Sequence, residues 1–340
     1  MRNPRSATAG SPSINDVARL AGVSSQTVSR VSRGAPNVSA GTRQRVLQAM
    51  DKLGYSPNRA AQVLRSGAFR TIGVLTQQIQ RTGEAWTTSG VLEAAARAGY
   101  TVVMAQVAQP GAEEMGRAVH RLAQQAIDGL VIVQAGTATA EHLALPAGMP
   151  VASSDSALVE RYPSASADQV QGVRDAVSHL LGLGHRTVHH IAGPADSRSA
   201  HVRSAAWAHC LAEAGIAAPD PIPGGWEAGD GYAAGLELAR DPEVTAVLCA
   251  NDEVALGLVR ALHESGRRVP EDVSVVGFDG LPLGEYAFPP LTTVQQDFRR
   301  AGAEMVRLVL AQAQGQPLEE SHVIIPTRLV VRASTAAPAA

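Results

Sequence analysis

From Arg70 onward, short apolar runs alternate with stretches of helical periodicity. Thr71–Thr76, Thr101–Met104, Gly129–Val133 and Val151–Ser154 read as strands, with helices such as Val91–Ala98 and Met115–Gln125 between them. A second series, Thr187–Ile191, Ala246–Cys249 and Val273–Phe278, repeats the pattern. Strands separated by helices rather than tight hairpins leave room for crossover connections between neighbours. They predict parallel sheets covered on both faces. The roughly 260 residues involved exceed what one such sheet needs, so the expectation is two doubly wound lobes with a cleft between them. A ligand would bind there, at the carboxyl ends of the strands.

The first 66 residues are different in kind. They carry ten Arg or Lys against only Asp16 and Asp51, whereas the remainder carries 19 basic and 29 acidic residues. A basic head on an acidic body suits a phosphate backbone as the partner of the head. The head also has helical punctuation that a solvated tail lacks. Ser13 followed by Asp16 is a capping-box pattern, Val17, Ala18 and Ala21 form an apolar face, and Gly22 permits a tight turn. Ser24 then caps a second helix whose inner positions are Val28 and Val31. Ser25, Gln26, Ser29 and Arg30 are left facing outward near a helix N-terminus, the geometry of a helix-turn-helix. Ser39 caps a third helix with Val46, Leu47, Met50 and Leu53 as its inner face and Gly54 as its stop. The following segment, Ser56–Gly67, is helix-competent but too short to be stable alone in water.

Composition excludes several other classes. At 45% hydrophobic and 18% charged, the 340 residues describe a globular chain, and no apolar run approaches the roughly 20 residues of a membrane span. The N-terminus lacks a signal-peptide core, and the two cysteines, Cys210 and Cys249, sit in apolar segments as expected free thiols, so the expected compartment is the cytoplasm. No Gly-Lys-Ser/Thr phosphate loop, Gly-x-Ser-x-Gly elbow or dinucleotide fingerprint occurs. His185, His189, His190 and His201 follow no metal-ligand spacing. The expectation is a protein that is not an enzyme and holds no metal or cofactor.

Taken together and in order, several motifs closely resemble the lactose-repressor (LacI/GalR) family of transcriptional regulators. They are Asp-Val-Ala-Arg-Leu-Ala-Gly-Val-Ser at 16–24, Thr-Val-Ser-Arg at 27–30, Val-Ser-Ala-Gly-Thr-Arg at 38–43 and Leu-Gly-Tyr-Ser-Pro-Asn at 53–58. The body adds Gly-Leu-Gly-His at 182–185, Ala-Gly-Pro at 192–194, Ala-Asn-Asp-Glu-Val-Ala-Leu-Gly at 250–257, Asp-Val-Ser-Val-Val-Gly-Phe-Asp at 272–279 and Pro-Pro-Leu-Thr-Thr-Val at 289–294. The resemblance implies a helix-turn-helix domain over 13–57, a hinge helix and linker over 58–69, and a ligand-binding and dimerisation core over 70–334. That core would be periplasmic-binding-protein-like, with lobe one at 70–167 and 298–325 and lobe two at 168–297 and 326–334, joined by three crossovers.

By the same resemblance, Ser25, Gln26 and Arg30 read bases, while Ser24, Thr27 and Ser29 meet phosphates or cap helices. Gln suits adenine N6 and N7, and Arg suits guanine O6 and N7. Leu64, with Ala61 and in the context that begins at Asn58 and Arg59, matches a minor-groove wedge, with Arg59 and Arg65 at phosphates. Half-sites imply a homodimer on a pseudo-palindromic operator, and without a heptad-bearing helix after Arg332 no coiled-coil tetramer is expected. For a small effector the resemblance implies Asp155, Arg203, Asn251, Asp279 and Gln296 as polar groups, Trp226 and Phe298 as stacking surfaces, and a contribution from Gln77. The Gln77–Trp86 segment departs from the Asn-Pro-Phe-Phe-like stretch of many relatives. The implied effector is an inducing mono- or disaccharide. The alternative is a corepressor, either a nucleobase or a sugar phosphate.

Overall fold

The computed structural model describes residues 12–32, 35–55, 68–107, 112–133, 145–154 and 157–339. The chain separates into two compact units, residues 1–69 and 70–340.

In the first unit α1 (Ile14–Ala21), α2 (Ser25–Ser32) and α3 (Ala40–Leu53) enclose Val17, Val28, Val31, Val46 and Met50. The caps are those the sequence signals. Ser13 and Asp16 form a reciprocal capping box, Ser39 accepts from Thr42 N, and Gly22 and Gly54 end α1 and α3 in the left-handed region at φ +66° and +61°. One inner position differs. Leu47 is exposed and Ala49 is buried, because the stripe α3 turns to the other helices runs through Val46, Ala49 and Met50.

The second unit contains two sheets. The first has the order β10–β5–β4–β3–β1–β2 and is wholly parallel. Its strands are β1 (Thr71–Thr76), β2 (Thr101–Gln106), β3 (Gly129–Ile132), β4 (Val151–Ser153), β5 (Ser164–Ala167) and β10 (His322–Ile325). Helices α4 (Thr82–Arg97) and α10 (Phe298–Ala313) cover one face through Val91, Ala95, Met305 and Val309, and α5 (Ala112–Ala123) covers the other through Met115, Val119 and Leu122. The second sheet, β11–β9–β8–β7–β6, comprises β6 (His189–Ile191), β7 (Ala246–Cys249), β8 (Ser274–Asp279), β9 (Thr292–Gln295) and β11 (Arg328–Val330). Among the described residues only the pairing of β11 with β9 is antiparallel, a departure from the all-parallel expectation at one sheet edge. Helices α6 (Gln169–Gly182) and α7 (Arg198–Glu213) cover one face around Trp207 and Phe278. Helices α8 (Ala228–Leu238) and α9 (Asp252–Glu264) cover the other around Val254 and Leu258.

The chain passes between the sheets three times, after β5, after β9 and after β10. Parallel strands covered on both faces read as near-continuous apolar runs, which is why β1, β3, β7 and β8 are buried at every position. Cys210 and Cys249 are both buried and free. After β11 the chain lies along the second sheet. Ser334 is fully buried, with Val275 N donating to its carbonyl at 2.8 Å and its hydroxyl donating to the Val275 carbonyl at 2.6 Å.

Candidate functional site

The outer face of α2 is the candidate base-reading surface. Burial of Val28 and Val31 fixes the rotation of this helix and leaves Ser25, Gln26 and Arg30 exposed. Ser24 caps it, with Thr27 N donating to Ser24 Oγ at 3.1 Å and the two hydroxyls sharing a hydrogen bond at 3.0 Å. Those contacts commit Ser24 and Thr27 to the helix end. Ser29 is half-buried on the same helix. Asn58, Arg59, Ala61 and Leu64 lie outside the described residues, as does Asp155.

In the second unit a cavity of about 380 Å³ lies between the two sheets, lined by both lobes. Arg203, Trp226, Asn251, Asp279, Gln296 and Phe298 all line it. They come from α7, the loop before α8, the start of α9, the end of β8, the end of β9 and the start of α10. A doubly wound sheet delivers strand ends and helix starts to one rim, so residues far apart in sequence converge there.

Four side chains close a ring of hydrogen bonds. Arg203 Nε donates to Gln169 Oε1 at 2.8 Å, and Gln169 Nε2 donates to Gln296 Oε1 at 3.0 Å. Gln296 Nε2 donates to Asp279 Oδ1 at 2.6 Å, and Arg203 Nη2 returns to that oxygen at 3.3 Å. The Arg203 guanidinium lies 3.9 Å from the Phe278 ring centre and 5.5 Å from that of Trp226, and Nη1 donates to the Ala250 carbonyl. Burial pushes the Asp279 carboxyl up, against the opposing pull of Arg203 and Gln296. Asp279 also sits at φ +103°, a backbone conformation that costs a non-glycine residue on the order of 1–3 kcal/mol. Strain of that kind persists where surrounding bonds over-determine it, as this ring does.

Asn251 caps α9, accepting from Val254 N at 2.9 Å while its amide donates to the Trp226 carbonyl and to Glu253. Beneath it, Asp252 accepts from Thr293 Oγ1 at 2.5 Å and from Leu281 N at 2.6 Å. Desolvation, with the nearby charges of Asp279 and Glu253, pushes the Asp252 carboxyl up to about 7 despite those hydrogen bonds. Glu253 itself is raised chiefly by burial.

Gln77 lies off the lining. Its side chain is buried, with Nε2 unpaired among the described residues, and its carbonyl accepts from Gln106 Nε2. The lip is made instead by Gln80, Arg81, Thr82, Gly83 and Glu84. Thr82 Oγ1 donates to Glu253 Oε1 at 2.6 Å, a hydrogen bond that bridges the lobes, and Trp86 packs edge-on against Phe298 at 5.9 Å. Gln169, Thr82, Glu84 and Glu253 were not singled out by the sequence. Glu253 stands inside the Ala-Asn-Asp-Glu-Val motif, so a signal was present there, whereas Gln169 and Glu84 read as ordinary first-turn helix residues.

The arrangement is suited to holding a polar molecule: a planar fork, two planar amides, a carboxylate and aromatic faces. Two of the histidines have structural partners. His185 bonds Thr245 and Ser274, and His190 bonds the Leu248 carbonyl and Ser204. Among the described residues no group of His, Cys, Asp or Glu could hold a metal ion, and no helix is long and apolar enough to cross a membrane.

Residues 13–58 match the family described as bacterial regulatory proteins, lacI family, and residues 177–335 match the periplasmic binding protein-like domain. The chain is 37% identical over 329 residues to the lactose operon repressor of Escherichia coli (strain K12), covering 96% of this chain and 91% of that protein. It is 34% identical over 335 residues to the HTH-type transcriptional regulator CelR of Thermobifida fusca, covering 95% and 98%. Among solved structures, the Lac repressor dimer bound to operator and the anti-inducer ONPF superposes with a TM-score of 0.83 at 36% identity, covering 96% of this chain and 99% of that one. The CelR–cellobiose complex superposes with a TM-score of 0.72 at 33% identity, covering 95% and 99%. These relatives are transcriptional regulators rather than enzymes. With its helix-turn-helix head and its core of two sheets around a cleft, the chain belongs to the lacI family of bacterial transcriptional repressors.

Proposed function

We propose that this repressor acts in the cytoplasm as a homodimer on a pseudo-palindromic operator, and that a small sugar in the cleft, an inducing mono- or disaccharide, weakens its grip. The observation that carries the effector is the closed ring of Arg203, Gln169, Gln296 and Asp279 beside Trp226 and Phe298. Vicinal hydroxyls can replace the bonds that Arg203 and Asp279 make to each other, while an aromatic face covers the C–H side of a sugar ring. The cavity volume falls within the roughly 300–1,000 Å³ of small-molecule sites.

Ser25, Gln26 and Arg30 read the major groove, with Ser24, Thr27 and Ser29 supporting the helix or meeting phosphate. Asn58, Arg59, Ala61 and Leu64 form the hinge that enters the minor groove. Leu92, Leu283, Tyr286 and Phe288 are exposed apolar side chains on the core, suited to contact with a second copy of the chain. The domain limits are those the family resemblance gives: 13–57, 58–69 and 70–334.

Both lobes line the cavity, so a sugar in it favours whichever arrangement of them it fits better. It shifts operator affinity only by that difference. Gel shifts with a pseudo-palindromic operator, with and without a panel of sugars, test the sign. Release by a sugar is the expected result, and tighter binding would make the ligand a corepressor.

A further inference from the structure

Helix N-termini are the ordinary seats for phosphate in proteins, because their free N–H groups and the helix dipole both favour an anion. Several begin at this cavity, and most already hold a carboxylate of their own. Helix α4 has no side-chain cap at Arg81, so its first turn would be open to a phosphate. Glu84 stands in that first turn, with its carboxylate turned to the end of β1. It lines the cavity and is more than nine-tenths buried, and its Oε2 accepts from Thr76 Oγ1, Gln77 N and Gln78 N at 2.5–3.0 Å. Its other oxygen, Oε1, has no hydrogen-bond partner among the described residues.

Helix α9 begins with Asp252 and Glu253, and α10 is capped by Asp297, which accepts from Arg300 N at 2.9 Å. Glu227 precedes α8 and lines the same space. Helix α7 is capped there by the neutral Ser197. Among the described residues two cations line the cavity, Arg81 and Arg203, and Arg203 is already bonded to Asp279, Gln169 and the Ala250 carbonyl. The upward shifts of Glu253 and Asp252, each partly caused by neighbouring carboxylates, show the same excess of negative charge.

From this geometry we infer that Glu84 and Glu253 determine specificity by making the cleft select an uncharged polyhydroxy effector and exclude its phosphorylated counterpart. The inference rests on the proposed sugar response and narrows it. Glu84 sets a buried negative charge beside the first turn of α4, held in place by Thr76, Gln77 and Gln78. Glu253, tied to Thr82 across the cleft, places a second charge against the same lip.

The test is calorimetric titration of the full-length protein with matched pairs: glucose and glucose 6-phosphate, galactose and galactose 6-phosphate, cellobiose and cellobiose 6-phosphate, lactose and lactose 6-phosphate. The expected result is that the uncharged member of the responsive pair binds at least a hundredfold more tightly than its phosphate. The Glu84→Gln, Glu253→Gln double variant, its fold checked by thermal melting, should narrow that gap at least tenfold by gaining affinity for the phosphate. A phosphate that binds as tightly as its parent sugar, or a gap unchanged in the variant, would overturn the inference and leave the sugar response standing. If no member of any pair binds while a nucleobase does, the sugar response falls and this inference falls with it.

Discussion

His190 lies on β6 with its imidazole buried against Trp207 at a ring separation of 5.3 Å. Because Nδ1 faces the Leu248 carbonyl at 2.9 Å it donates there, which leaves Nε2 to accept from Ser204 at 3.1 Å. That neutral form suits the site, and desolvation holds its pKa down at about 4 against an ordinary value of 6.5. In the unfolded chain the ring takes up its proton as pH falls through about 6.5, while the folded chain resists until about 4. The associated stability is therefore fully present above pH 6.5 and is lost as pH falls towards 4, on the order of 3 kcal/mol in all. Urea titrations from pH 7 to 4 should show His190→Gln with a shallower decline than the parent; parallel declines would contradict this. Partial declines remain in the variant because His179, His185 and His189 are also depressed by burial.

On the DNA side, Arg30→Ala should relax base preference at one operator position by about 1–3 kcal/mol without unfolding the head, since Arg30 is exposed. Competition binding against single-base operator variants measures it, and an equal loss on every sequence would reduce Arg30 to a phosphate contact. Individual residues of the cleft were legible unevenly in the sequence. Asn251 and Asp279 stand in family motifs at a helix cap and a strand end, whereas Gln169 joins the ring only because α6 and α7 pack side by side. Nothing local to Gln169 announces that.

Helix pairs in the core meet through glycines. Helices α8 and α9 cross where a β-carbon on Gly231 would overlap the Val254 carbonyl and one on Gly257 would overlap that of Ala228. Helices α4 and α10 cross in the same way, Gly90 against the Arg299 backbone and Gly302 against the Thr87 carbonyl. Removing the side chains lets backbones touch, which draws both helix N-termini onto the cleft rim. Alanine at Gly257 must push α8 away from α9, so the cost should reach at least the 1–3 kcal/mol typical of overpacking, with effector affinity falling too because Trp226 and Asn251 sit at these two helix starts. Chemical denaturation with a parallel sugar titration reads both effects; unchanged stability would mean that the crossing is looser than the structure shows.

These crossings also explain what the sequence hid at this level. The start of α4 at Thr82 lacks a side-chain cap, and Thr87 and Thr88 weaken its helical signal, so only the stretch from Val91 reads clearly as helix. Contact with α10 stabilises the rest. The antiparallel β11 is likewise a three-residue edge strand with no turn signature to mark it. Buried strands and capped helices were legible because each carries its own pattern. Short edges and uncapped starts depend on partners distant in sequence.

Across the whole molecule, the two-sheet core carries a bond that spans its cleft, from Thr82 on one lobe to Glu253 on the other, and Gln296 of the hydrogen-bonded ring lies just before Phe298, at the point where the chain returns to the first lobe. Ligand binding at such a place acts on both lobes together. Asp279→Asn should therefore abolish the response to sugar while leaving operator binding in its absence intact, since Asn keeps an acceptor for Arg203 and Gln296 but loses the charge. The measurement that bears hardest on the proposed function is operator affinity of the full-length protein titrated with its responsive sugar, parent and Asp279→Asn side by side. The parent should lose at least tenfold in affinity as the sugar saturates, while the variant holds its affinity throughout. An operator affinity in the parent that no sugar changes would contradict the account.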